Sequence, residues 1–110
     1  MAWTPREKRA WRDLVAHLDT ECPGGVAFSV VRRSAHGDDA QVHLMTDGSF
    51  RITIAPKLSI EQATDALIHE LAHVLAGWKG GQRHEIADHN DLWGCAFATI
   101  YRIFLTCEND

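Results

Sequence analysis

The sequence predicts an α+β fold: a small three-stranded antiparallel sheet packed on helices, in the order α-β-β-β-α-α. Three observations lead there. Apolar residues recur at helical spacing near both ends of the chain. Apolar, β-branched runs of strand length fill the middle. A length of 110 residues suits one modest core, and no repeat or low-complexity tract divides it, so residues 1–110 read as a single domain.

Thr4-Pro5-Arg6-Glu7 opens the first helix, with Thr4 as N-cap, Pro5 at the first helical position and Glu7 placed to close a capping box. Trp11, Leu14, Val15 and Leu18 follow at i, i+3, i+4 and i+7, giving one inward face that extends to about Asp19. Cys22-Pro23-Gly24-Gly25 breaks the helix. Val26–Arg32 reads as a strand, and Ser34–Asp39, polar and containing Gly37, as a turn. Gln41–Met45 and Ser49–Ala55 read as two more strands joined by a tight turn at Asp47-Gly48, and Pro56 ends the sheet.

Ser59 with Gln62 forms a second capping box and begins a helix that Gly77 is expected to stop. Residues 78–90 form a polar, glycine-containing connection. A last helix starts near Asn90 or Asp91 and continues to about Cys107, with Leu92, Ala96, Ile100, Ile103 and Phe104 on its inner face.

Composition narrows the function classes. No apolar run approaches the ~20 residues that span a bilayer, so no membrane partner is expected. Met1–Arg12 is charged and amphipathic, without the apolar stretch of a secretory signal. The 3 cysteines are odd in number and lack C-x-x-C spacing, which points to reduced thiols and a cytoplasmic setting. Net charge is −4 but unevenly spread, +1 over residues 1–58 and −5 over residues 59–110. The acidic half would repel phosphates, so binding of nucleic acid through it is disfavoured. The basic cluster Arg6, Lys8, Arg9 and Arg12 fits the wet face of the first helix.

That acidic half carries His69-Glu70-Leu71-Ala72-His73, an H-E-x-x-H motif within the predicted helix. Residues four apart share a helix face, so both imidazoles can reach one metal ion, and Glu70 is placed to act as general base toward water there. The competing reading is a solvated face with two surface histidines. It fits poorly, because Leu67, Leu71, Val74 and Leu75 form the apolar stripe and the histidines fall at its edge. A catalytic zinc site commonly takes three protein ligands, leaving a position open. The following loop offers His84, Glu85, Asp88, His89 and Asp91. His89 is favoured because it stands where the chain re-enters helix, whereas His84 lies in the Gly-flanked part of the loop.

The motif, followed by His89-Asn90-Asp91-Leu92-Trp93-Gly94 and the closing segment Ala96–Arg102, resembles the SprT-like family of zinc metallopeptidases, especially its short phage and actinobacterial members. The resemblance covers about Ser59 to Arg102. It implies Zn2+, a zincin-like peptidase fold, His69, His73 and His89 as ligands, and Glu70 as general base. The chain departs from many relatives in having no C-terminal cysteine pairs for a zinc ribbon.

The expected activity is hydrolysis of a peptide or protein substrate, held as an added strand along Gln41–Met45 or Ser49–Ala55. His84, Arg83 or Tyr101 would help stabilise the oxyanion, His84 being preferred. Asp88 or Asp91 could hydrogen-bond a ligand histidine, although Asp91 suits a helix cap equally well. Two alternatives stand beside it: a non-catalytic, zinc-stabilised interaction module, which a fourth protein ligand such as Glu85 or Asp88 would favour, and a metal-dependent hydrolase of a non-peptide bond served by the same ligands. His17, His36 and His43 are read as surface or satisfied positions, and Trp3, Trp11, Trp78 and Trp93 as packing residues.

Overall fold

The computed structural model describes residues 2–35, 37–79 and 91–107. Its elements are α1 (Pro5–Glu21), a short 3-10 turn (Pro23–Gly25), β1 (Phe28–Arg32), β2 (Ala40–Leu44), β3 (Phe50–Ile54), α2 (Ile60–Lys79) and α3 (Asp91–Leu105). The α+β class and the expected order of elements both hold. None of the helices is long and apolar enough to cross a membrane among the described residues.

Both capping boxes form. The Glu7 backbone N–H donates to Thr4 Oγ1 at 3.1 Å while the Thr4 N–H donates to Glu7 Oε1 at 2.9 Å. At α2 the Gln62 N–H donates to Ser59 Oγ at 3.2 Å and the Ser59 N–H to Gln62 Oε1 at 3.0 Å. Each box satisfies two backbone donors that a helix start leaves open. Gly77 does not end α2, contrary to expectation: the helix passes through it to Lys79. A helical glycine costs only ~1 kcal/mol relative to alanine, and Gly77 is buried, so packing outweighs that penalty.

The sheet is mixed, which corrects the expected antiparallel arrangement. Its strand order is β1-β3-β2, with β1 parallel to β3 and β2 antiparallel to it. Burial explains the choice. Phe50, Ile52, Thr53 and Ile54 are all buried, so β3 gains most from neighbours on both sides and takes the centre. The β2–β3 hairpin occupies one flank, and β1 can only take the other. The hairpin closes through Met45 N–H to Ser49 O at 2.8 Å and Gly48 N–H to Met45 O at 3.0 Å. Gly48 has φ 88°, so the loop is a three-residue connection ending in a left-handed glycine. Beside it, the Ser49 N–H and hydroxyl both donate to Asp47 Oδ1, at 2.9 and 2.6 Å, and hold that carboxyl below its usual range.

Alternation then sorts the strands. Phe28, Val30, Ala40, Val42, Phe50, Ile52 and Ile54 join the core with Leu67, Leu71 and Leu75 of α2 and Leu14 and Leu18 of α1. In α3, Ala96 and Ile100 are buried, and Ile103 and Phe104 pack against the same cluster. Leu92 was expected inside but is 40% exposed; the larger Trp93 takes the inward place at that end of the helix. Trp3 fastens the N-terminal segment: its indole N–H donates to Leu58 O at 3.0 Å, its ring meets Trp11 edge-on at 5.2 Å, and the Arg32 guanidinium lies 3.4 Å over it. Ile52→Ala, at the centre of the sheet, is expected to lower unfolding free energy by about 2–5 kcal/mol in chemical denaturation; a loss under about 1 kcal/mol would remove Ile52 from the core's principal contacts.

Candidate metal centre

Ser59 fixes the start of α2, and the helical repeat then decides where its side chains fall. Leu67, Ile68, Leu71, Ala72, Val74 and Leu75 are all buried, so most of the helix circumference is enclosed at this level. His69 and Glu70 are half-buried at the margin, and His73 lies deeper, at 4% exposure. The two Nε2 atoms face each other at 3.1 Å, with ring centroids 4.8 Å apart and the planes steeply inclined. Two nitrogens held tetrahedrally on one zinc at ~2.0–2.1 Å would stand ~3.3 Å apart. The pair therefore has the spacing of two ligands of one ion, and the donor set suits zinc. A single N–H···N hydrogen bond fits the same distance.

Helix α3 shapes the opposite wall. The Trp93 ring lies 5.4 Å from His69 and 5.7 Å from His73, and Phe97 stacks on Trp93 at 5.0 Å. Trp93 is thus more than core filler: it limits the orientations open to both imidazoles. Tyr101 sits two turns further along, its ring against Phe97 and Phe104, and is 43% exposed. Its described ring contacts do not bring it to the histidine pair. Asp91 is exposed in the first turn of α3. His89, His84, Arg83, Glu85 and Asp88 lie outside the described residues. Among the described residues, no three His, Cys, Asp or Glu side chains gather as a metal-binding group.

A cleft of about 530 Å³ opens beside the motif, lined by His69 and Glu70 together with Asp38, Asp39, Gln62 and Asp65. Ala40, the first residue of β2, also borders it, so the cleft runs along the start of an edge strand. This separates the two strand candidates: Gln41–Met45 covers an edge, whereas Ser49–Ala55 covers the central strand. The three aspartates were not singled out from the sequence. Asp65 was within reach, being one turn before His69 on the same helix face. Asp38 and Asp39 arrive only through the fold of the β1–β2 connection. Asp39 also pairs with Lys57 at 3.6 Å, both side chains well exposed, so that pair contributes little to stability.

Compared with protein-family models, curated proteins and solved structures, the chain matches none.

Proposed function

We propose that the protein is a zinc-dependent metallopeptidase of the SprT-like, zincin type, acting on peptide or protein substrates in the cytoplasm. One observation carries this reading: an H-E-x-x-H helix in which both histidine Nε2 atoms converge to 3.1 Å at the wall of an open cleft. His69 and His73 would hold the ion, with His89 as third ligand. Zinc, when bound, supplies Lewis acidity toward water and toward a substrate carbonyl. Glu70, adjacent to His69 and lining the cleft, takes the proton from the attacking water and passes it to the leaving amine. The outer edge of β2, which pairs with no other strand among the described residues, offers backbone donors and acceptors to an extended peptide, which would lay the scissile bond along α2. Trp93 holds the ligand rings in place from α3.

The test is degradation of an unstructured protein such as casein by the zinc-supplemented chain. Cleavage is expected, with loss on chelation by 1,10-phenanthroline and recovery on adding zinc back. A fully zinc-loaded protein that leaves casein and a mixed peptide library intact would overturn the peptidase assignment. Hydrolysis of ester substrates alone would replace it with the non-peptide hydrolase.

A further inference from the structure

The outward face of the sheet carries a second pocket, apart from the cleft beside α2. Register places Arg51 directly across from His43, and Thr53 across from Gln41, on the face turned away from the core cluster. Arg33 continues β1 beyond its end, its backbone N–H donating to Ile54 O at 3.0 Å. Together with Ser34 these residues line a depression of about 460 Å³.

Its electrostatics differ from those of the chain as a whole. Net charge is −4, yet among the described residues no carboxylate lines this pocket, while two guanidinium groups do. Among the described residues the one ion pair is Lys57 with Asp39, so neither Arg33 nor Arg51 is neutralised by a described carboxylate. Asp38 accepts from Gln41 Nε2 at 3.0 Å and lines the cleft beside α2. Gln41 Nε2 also donates to Ala35 O at 2.9 Å, which fixes the amide and turns Oε1 toward His43 Nε2 at 3.2 Å. An amide oxygen can only accept, so His43 Nε2 carries the hydrogen there. Arg51 therefore stands across from an imidazole and gains no cross-strand ion pair there, which leaves its guanidinium available to an anion.

We propose that this pocket binds a phosphate group, free or as a monoester on a small molecule. Guanidinium groups donate in a planar fork that matches phosphate oxygens, and the Ser34 and Thr53 hydroxyls add short-range donors. The volume lies within the ~300–1,000 Å³ of small-ligand clefts. A nucleic-acid strand is the weaker candidate, because two arginines in one depression make no extended track and residues 59–110 carry −5.

The experiment is an NMR titration of the full chain with sodium phosphate, ionic strength being held constant with chloride, followed by a nucleoside monophosphate. Saturable shifts are expected for the backbone amides of Arg33, Gln41, His43, Arg51 and Thr53 and for the arginine side chains, with both probes. Arg33→Gln and Arg51→Gln should each weaken binding by about tenfold or more, with spectra otherwise unchanged. Should Arg51→Gln fail to fold, the exposed Arg33 carries the test alone. Shifts that chloride reproduces, shifts that survive in Arg33→Gln, or a response to an oligonucleotide but not to phosphate would each overturn the assignment. The readout is binding alone, so it stands whether or not the chain proves to be a peptidase.

Discussion

Replacing Glu70 by glutamine should reduce cleavage by about 10²–10⁴-fold, the usual contribution of a positioned general base, while zinc content and fold stay as they are. The amide has nearly the same shape and still hydrogen-bonds, but it cannot accept a proton near neutral pH. Glu70 is half-buried on the cleft wall, and its neighbours Leu71 and Ala72 are buried, so the change falls at the cleft and leaves the core packing intact. The measurement pairs the cleavage rate with bound zinc determined by atomic absorption on the same sample. Full residual activity would remove Glu70 as the base. Loss of zinc together with activity would make it a ligand instead.

Removing a histidine should act on the ion itself. His69→Ala and His73→Ala each delete one of two nitrogens held 3.1 Å apart. Each is expected to weaken zinc binding by more than the ~10–100-fold that loss of an outer hydrogen-bond partner costs. His73→Ala also empties a buried position and should destabilise the protein, so the half-buried His69 gives the cleaner result. The same assay separates the loop candidates: His89→Ala should lose zinc and His84→Ala should keep it. The reverse result would reassign the third ligand. Stoichiometric zinc in both His69→Ala and His73→Ala would leave the 3.1 Å approach as a hydrogen bond between two rings.

What could be read in advance was what local chemistry decides. Thr4 with Glu7 and Ser59 with Gln62 act over three residues, and both caps form where the side chains allow them. The Asp47-Gly48 turn is similarly local, because a left-handed glycine after a type I turn needs no distant partner. The helical period placed His69, Glu70 and His73 side by side. Strand order was not legible, because the β1–β3 pairing joins residues more than twenty positions apart and depends on which strand gains most from burial on both sides. Gly77 misled because a glycine's intrinsic cost is small beside the packing of a long apolar helix. Leu92 misled because its spacing from Ala96 suits the inner face, yet the indole of its neighbour fills the space against the imidazoles. The cleft carboxylates Asp38 and Asp39 depend on that same strand arrangement and have no local signature.

The way α1 is secured has a consequence for how the polypeptide emerges from the ribosome. Trp3 waits for the carbonyl of Leu58, and His17 Nε2 meets the Ile103 carbonyl at 3.0 Å, 86 positions away. Helix α1 therefore has hydrogen-bond partners among residues synthesised much later, the last of them Thr106, just past the end of α3. Until α3 is made, Trp11, Leu14 and Leu18 lack part of the cover they have in the finished core, so closure around α1 waits on α3.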